Sequence, residues 1–258
     1  MPNTNGGDTA VINAAAEYVA GGDLPFHSGG GLVINSGGSW TQTGGVSWIQ
    51  AAGGSIVVNG GSFNQGTAGN IIRDASTVIT INTGSATFNG NYTYNPVSSG
   101  AFNLNGGTAT FTGEFQLGAP FVVSGATLAS RLFVFGGSNV LTITSGMIST
   151  DGAALDGGNN PTNGFYAISP TSYVNLTSLG TGVYFRNFSS AQLTTAGWLT
   201  NGAIKYQGSV NPGIFQVVEQ GGGVMVTAVP EPSTYAVAIG IGCFGLIYLR
   251  RRKMGMAS

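Results

Sequence analysis

Four glycines recur at one interval: the positions of Gly38, Gly61, Gly84 and Gly107 rise by 23 at every step. Each belongs to a similar phrase. Val33-Ile34-Asn35-Ser36-Gly37-Gly38-Ser39-Trp40 returns as Ile56-Val57-Val58-Asn59-Gly60-Gly61-Ser62-Phe63, and then as Ile79-Thr80-Ile81-Asn82-Thr83-Gly84-Ser85-Ala86. A fourth copy is Phe102-Asn103-Leu104-Asn105-Gly106-Gly107-Thr108-Ala109. Looser copies at 122–126 and 143–147 carry Gly125 and Gly146, at the shorter intervals of 18 and 21. A nearly constant period of this length means one structural unit per repeat, stacked on its neighbours. Apolar side chains alternate within each phrase, as strands with one buried face require. The expected fold is therefore all-β, a parallel β-helix (β-solenoid) with coils of about 23 residues. Asn-Gly-Gly-Ser supplies the corners. Asn59, Asn82 and Asn105 fall in register. They either stack as a hydrogen-bonded ladder or serve only as residues that tolerate a left-handed turn.

Outside the phrases the pattern is less regular. Residues 9–20 suit a short helix or a strand capping the first coil. Residues 151–161 are rich in turn formers. Strands are expected again at 165–169, 173–176, 182–188, 203–207, 214–219 and 224–228, the last two joined as a hairpin through Gln220-Gly221-Gly222-Gly223. The expected division is a cap segment at 1–30, solenoid repeats at 31–160 and β-rich final coils or a cap at 161–228. A C-terminal segment of different composition follows at 229–253, with a short tail at 254–258.

Composition narrows the chemistry. Charged residues make up 7% of the 258, against about 25% in an ordinary soluble domain. Residues 1–229 hold eight acids and four bases, a net charge of −4, so no basic patch supports nucleic-acid binding. The single cysteine, Cys243, precludes an internal disulfide, and the single histidine, His27, precludes a histidine-based triad or a multi-histidine metal site. Paired carboxylates are absent from the repeat: Asp74 neighbours Arg73, while Glu114 and Arg131 stand alone in non-equivalent turns. Asp151, Asp156, Asn159 and Asn160 match no calcium-loop spacing. The expectation is no catalytic residue, no cofactor and no metal. Aromatic residues leave one binding alternative. Trp40, Trp48, Tyr92 and Tyr94 would form a sugar-stacking row if they faced outward; facing inward, they fill the core.

The C-terminus is built differently. Val229, Pro230, Glu231, Pro232 and Ser233 should form an extended, accessible linker, because the prolines fix φ and remove donors. An uncharged run at 235–249 follows, then Arg250, Arg251, Arg252 and Lys253. As a helix at about 1.5 Å per residue, that run would cover most of a hydrocarbon core of about 30 Å. The adjacent cations argue for one transmembrane helix with 250–258 on the cytoplasmic side. Together 229–253 resemble the PEP-CTERM sorting signal of exported bacterial proteins. The resemblance implies recognition by an exosortase, anchoring in the inner membrane before processing and a later place in the envelope or outside the cell, with exopolysaccharide as a further partner. Residues 1–8 lack the charged and apolar regions of a signal peptide, so a start further upstream is expected. The Gly/Ser/Thr/Asn-rich repeats also resemble autotransporter and adhesin stalks. The expected function is a non-enzymatic surface or matrix protein, structural or adhesive. A carbohydrate-binding β-helix is the alternative, followed by a polysaccharide lyase or hydrolase.

Overall fold

The computed structural model describes residues 7–229, apart from 20–23, 26–28, 44–48, 51–52, 66–70, 73–75, 152–153, 156–160, 167 and 169–170. It is a parallel β-solenoid. On its first face Thr9–Ile12 pairs with Gly31–Asn35, which pairs with residues 55–59, then 78–81, then Ala101–Leu104, all in parallel. On its second face Ala15–Val19, Ser39–Thr43 and residues 62–65, 85–88, 107–111 and 126–130 continue the same stack into Gly146–Asp151 and Gly182–Arg186. A third face is made of shorter strands, among them Tyr92–Tyr94, which pairs with 115–117 and through them with 133–135 and 164–166.

The register reproduces the sequence period. Ile56 pairs with Ile79 and Ser62 with Ser85, each one full repeat further along the chain. Residues 9–19 belong to the same stack as a complete first rung on two faces. Of the two forms expected for them, strand is the one adopted. The array also continues past residue 160, because Gly182–Arg186 pairs in parallel with Gly146–Asp151 and Ile204–Tyr206 with Val174–Leu176. Closure comes from the expected hairpin. Phe215–Gln220 and Gly223–Ala228 pair antiparallel, with Gly221 and Gly222 both at positive φ in the two-residue turn.

The glycine column has a steric cause. A Cβ on Gly61 would sit 2.5 Å from the carbonyl oxygens of Asn35 and Gly38; on Gly84, which also has φ +88°, it would sit 2.2 Å from the carbonyl of Gly61. Each corner rests directly on the corner of the preceding coil, and no side chain fits between them. The asparagines beside this column form the ladder. Asn82 Nδ2 donates to Asn59 Oδ1 at 2.7 Å and Asn105 Nδ2 to Asn82 Oδ1 at 2.8 Å. None of the three has a positive φ, so hydrogen bonding along the stack, and not left-handed geometry, explains their register.

The interior is one continuous apolar core. Trp40, Phe63, Ala86 and Ala109 occupy one inward column, and Gln42, Gln65, Phe88 and Phe111 the next. Where the first column shrinks to alanine the second grows to phenylalanine, so coil cross-section is held nearly constant. The new rings stack: Phe88 on Phe111 at 4.9 Å and Tyr92 on Phe115 at 5.5 Å.

Two short α-helices interrupt the coils among the described residues. The first, α1 (Pro96–Ser99), is capped by the Asn95 side chain and has proline in its first turn. The second, α2 (Ser190–Ala196), has a capping box between Ser189 and Gln192 and ends at left-handed Gly197. The transmembrane helix expected over 235–249 is corrected here. No helix among the described residues is long and apolar enough to cross a membrane, and 230–258 lie outside those residues. The structure therefore supplies no basis for an inner-membrane anchor, or for the exosortase contact and envelope localisation drawn from it.

Candidate functional site

The residues singled out in the sequence are not brought together. Trp40 and Tyr92 point into the core and are buried, so neither ring presents a face to a sugar. Trp48 lies outside the described residues. Val229 ends the described chain, its N–H donating to the carbonyl of Ile214 at 2.9 Å. Pro230, Glu231, Pro232 and Ser233 lie beyond it, as do Arg250, Arg251, Arg252 and Lys253.

The described carboxylates with resolved side-chain contacts are held in separate places. Glu114 accepts from Gln116 Nε2 at 3.0 Å, and its N–H donates to Asn91 Oδ1 at 2.9 Å. Asp151 pairs with Arg186 at 2.8 Å, and Arg186 also reaches the carbonyl of Ser130. Exposed Glu219 accepts from the backbone N–H of Ser190 at 2.9 Å and from its hydroxyl at 2.7 Å. These two bonds, the backbone one first, hold its carboxyl below the usual carboxylate range. Glu219 thus serves the first turn of α2, where free N–H groups favour a negative charge. No group of three or more His, Cys, Asp or Glu among the described residues is placed to hold a metal ion.

Tyr94 is the predicted residue that reaches a concave surface. It ends a third-face strand and meets Phe121 edge-on at 4.8 Å. Burial raises its hydroxyl pKa above the ordinary tyrosine value. Around it lies a cavity of about 440 Å³, lined by Tyr94, Phe102 to Asn105, Pro120 to Val122 and Ser124. None of these residues is charged. The cavity marks a break in the first-face stack: Ala101–Leu104 pairs only with the preceding coil, and Phe121–Val123 only with the following one. The other two faces remain paired across the same level, Gly107 with Ala126 and Phe115 with Phe133.

Coil length produces this opening. The coil that contains α1 keeps the ordinary length, since Val78 pairs with Ala101, an advance of 23. The next coil is short: Gly107 pairs with Ala126, an advance of 19, where the earlier pairing of Ser62 with Ser85 is an advance of 23. Asn103, Asn105, Val122 and Ser124 belong to the repeat phrases and Pro120 lies just outside them, so nothing in their local sequence marks them as a site. The drop in glycine spacing after Gly107 was the available signal.

Comparison with protein-family models, curated proteins and solved structures finds no match to this chain. What the structure shows is a repetitive β-solenoid, a fold consistent with an adhesin-like repeat body.

Proposed function

We propose that this chain is a non-enzymatic scaffold, a stack of rigid coils whose role is structural or adhesive. One observation carries the reading. Parallel pairing runs unbroken along the second face from Ala15–Val19 to Gly182–Arg186 and ends in an antiparallel hairpin. The sequence thus repeats to make a stiff stack whose final rung is covered by that hairpin. The carboxylates described above support α2, an ion pair and a bond to Gln116 on the same strand, which are structural duties.

The test is adhesion of the full-length protein, coated on inert beads, to cells and extracellular matrix of the parent organism. Retention above that of a globular control is expected, unchanged when Glu114, Asp151 and Glu219 are replaced one at a time by their amides in variants that remain folded. Turnover of a glycan or ester substrate that one of these replacements abolishes would refute the scaffold reading. A finer version rests on the resemblance of 229–253 to the PEP-CTERM signal: the scaffold is a sorted cargo whose tail is recognised at Pro230-Glu231-Pro232. Replacing those three residues by alanine should leave the chain unprocessed. Unchanged mass and location of that variant would refute sorting while leaving the scaffold reading intact.

A further inference from the structure

In a parallel ladder a strand uses alternate residues to bond one neighbour and the remaining residues to bond the other. Ala101 N–H donates to Thr77 O at 2.8 Å, and Asn105 N–H to Ile81 O at 2.9 Å. Residues 101, 103 and 105 therefore face the preceding coil, and the main-chain groups of Phe102 and Leu104 face the next. On the other side of the break, Phe121 N–H donates to Val140 O at 3.1 Å, and Val123 O accepts from Thr144 N–H at 2.9 Å. Residues 121 and 123 face onward, so Val122 and Ser124 face back. No backbone bond joins the two strands. The N–H and C=O groups of Phe102, Leu104, Val122 and Ser124 thus line the opening without a strand partner among the described residues.

The side-chain ladder stops at the same place. Asn105 donates to Asn82, but its own Oδ1 receives no donor from the described residues. The next rung, Ser124, turns onward to Ser145 at 3.4 Å. Asn103 donates to Thr80 at 3.3 Å, and its carbonyl oxygen is likewise unused. Donors and acceptors alternate along the crevice, and beside them lie the apolar surfaces of Tyr94, Pro120 and Val122, the last 54% exposed.

We propose that this crevice binds one or two units of a neutral glycan. An inserted β-strand is the obvious rival, because it would satisfy the same main-chain groups. The closed floor and end of the crevice favour a compact ligand over a strand: the Phe102 and Phe121 rings meet beneath it at 5.8 Å. A Cβ on Gly125 would also lie only 3.9 Å from the Asn105 carbonyl. The slot is closed below and open outward. A pyranose suits it: its C–H face packs on Tyr94, Pro120 and Val122, and its hydroxyls donate to carbonyls and accept from N–H groups alike. With no cation in the lining, a uronic acid gains nothing from its charge. The volume falls within the range of small-molecule sites, roughly 300–1,000 Å³. This inference does not depend on the scaffold reading, although it would give an adhesive scaffold a ligand.

The experiment is amide-resolved NMR titration of the full chain with cellotriose, maltotriose and xylotriose. Trigalacturonate and the peptide Thr-Ile-Asn-Thr-Gly serve as rivals. At least one neutral trisaccharide should shift the Leu104, Val122 and Ser124 amides saturably, and Val122→Trp should weaken that binding at least about tenfold. Val122 points outward, so the fold should survive the change, and Ser124→Trp repeats the block from a second position. The proposal fails if none of the three neutral sugars shifts these amides, or if both blocked variants bind as well as the parent. It also fails if trigalacturonate binds as tightly as the neutral sugars, or if the peptide binds there in their place.

Discussion

Replacing single glycines of the corner column separates two costs that coincide in the folded chain. Gly61 has ordinary negative-side backbone, but a Cβ there meets two carbonyl oxygens and Ile34 Cγ2 at 2.5 Å. Backbone cannot swing aside as a side chain does, so the coils themselves must separate. Overpacking of this kind costs typically about 1–3 kcal/mol. Gly137 is the converse: its φ is +60°, and nothing lies within 4 Å of the Cβ position. Gly137→Ala should cost only the left-handed penalty, about 1–2 kcal/mol. Gly84 carries both burdens, φ +88° and a 2.2 Å approach to Gly61 O. Gly84→Ala should therefore approach the sum, about 2–5 kcal/mol. The assay is equilibrium urea unfolding of all three variants, with unchanged m-values as the condition for comparison. If Gly61→Ala proves neutral, or Gly84→Ala costs no more than Gly137→Ala, close corner stacking is not what the recurring glycine provides.

Other consequences are as direct. Phe111→Ala empties a site packed by Phe88, Tyr92, Phe102 and Phe115 at 4.8–5.7 Å; a loss of about 3–5 kcal/mol is expected from denaturant unfolding. Asn82→Ala removes both an acceptor and a donor from the ladder, so it should destabilise by about 1–3 kcal/mol. Asn105→Ala, which breaks one of those bonds, should cost less. Because the pKa of Glu219 is lowered in the folded chain, its stabilisation is present above the usual carboxylate range and is lost as pH falls through the lowered value. Glu219→Gln should remove that component from the pH dependence of unfolding. In Ser190→Ala the carboxyl pKa, read by NMR, should rise only part of the way, because the backbone N–H remains.

The candidate site was less legible than the fold. Tyr94 could be marked as an aromatic on the third coil, but its companions are ordinary solenoid residues. Asn103, Asn105 and Ser124 become distinctive only where one ladder stops, and Asn105 differs from Asn82 in that its next rung, Ser124, bonds to Ser145 and not back to it. The same locality explains α2. Ser189-Ser190-Ala191-Gln192 carries the capping-box spacing, yet without tertiary contacts so short a helix is not stable alone.

From sequence alone came the period, the corner glycines, the alternation of buried and exposed positions and the closing hairpin. These are local or strictly repeating demands: a corner that admits no Cβ must be glycine in every coil it rests on, and a strand with one buried face must alternate. Tertiary structure decided the rest. It turned Trp40 and Tyr92 inward, because the same alternation that makes a strand does not say which neighbour will shrink to make room. It resolved the asparagines into a ladder, since their bonds run between one coil and the next. And it opened a single face between Ala101–Leu104 and Phe121–Val123 while the other two stayed paired. That opening reflects a mismatch between coils of different length, a relation between two coils that neither one encodes.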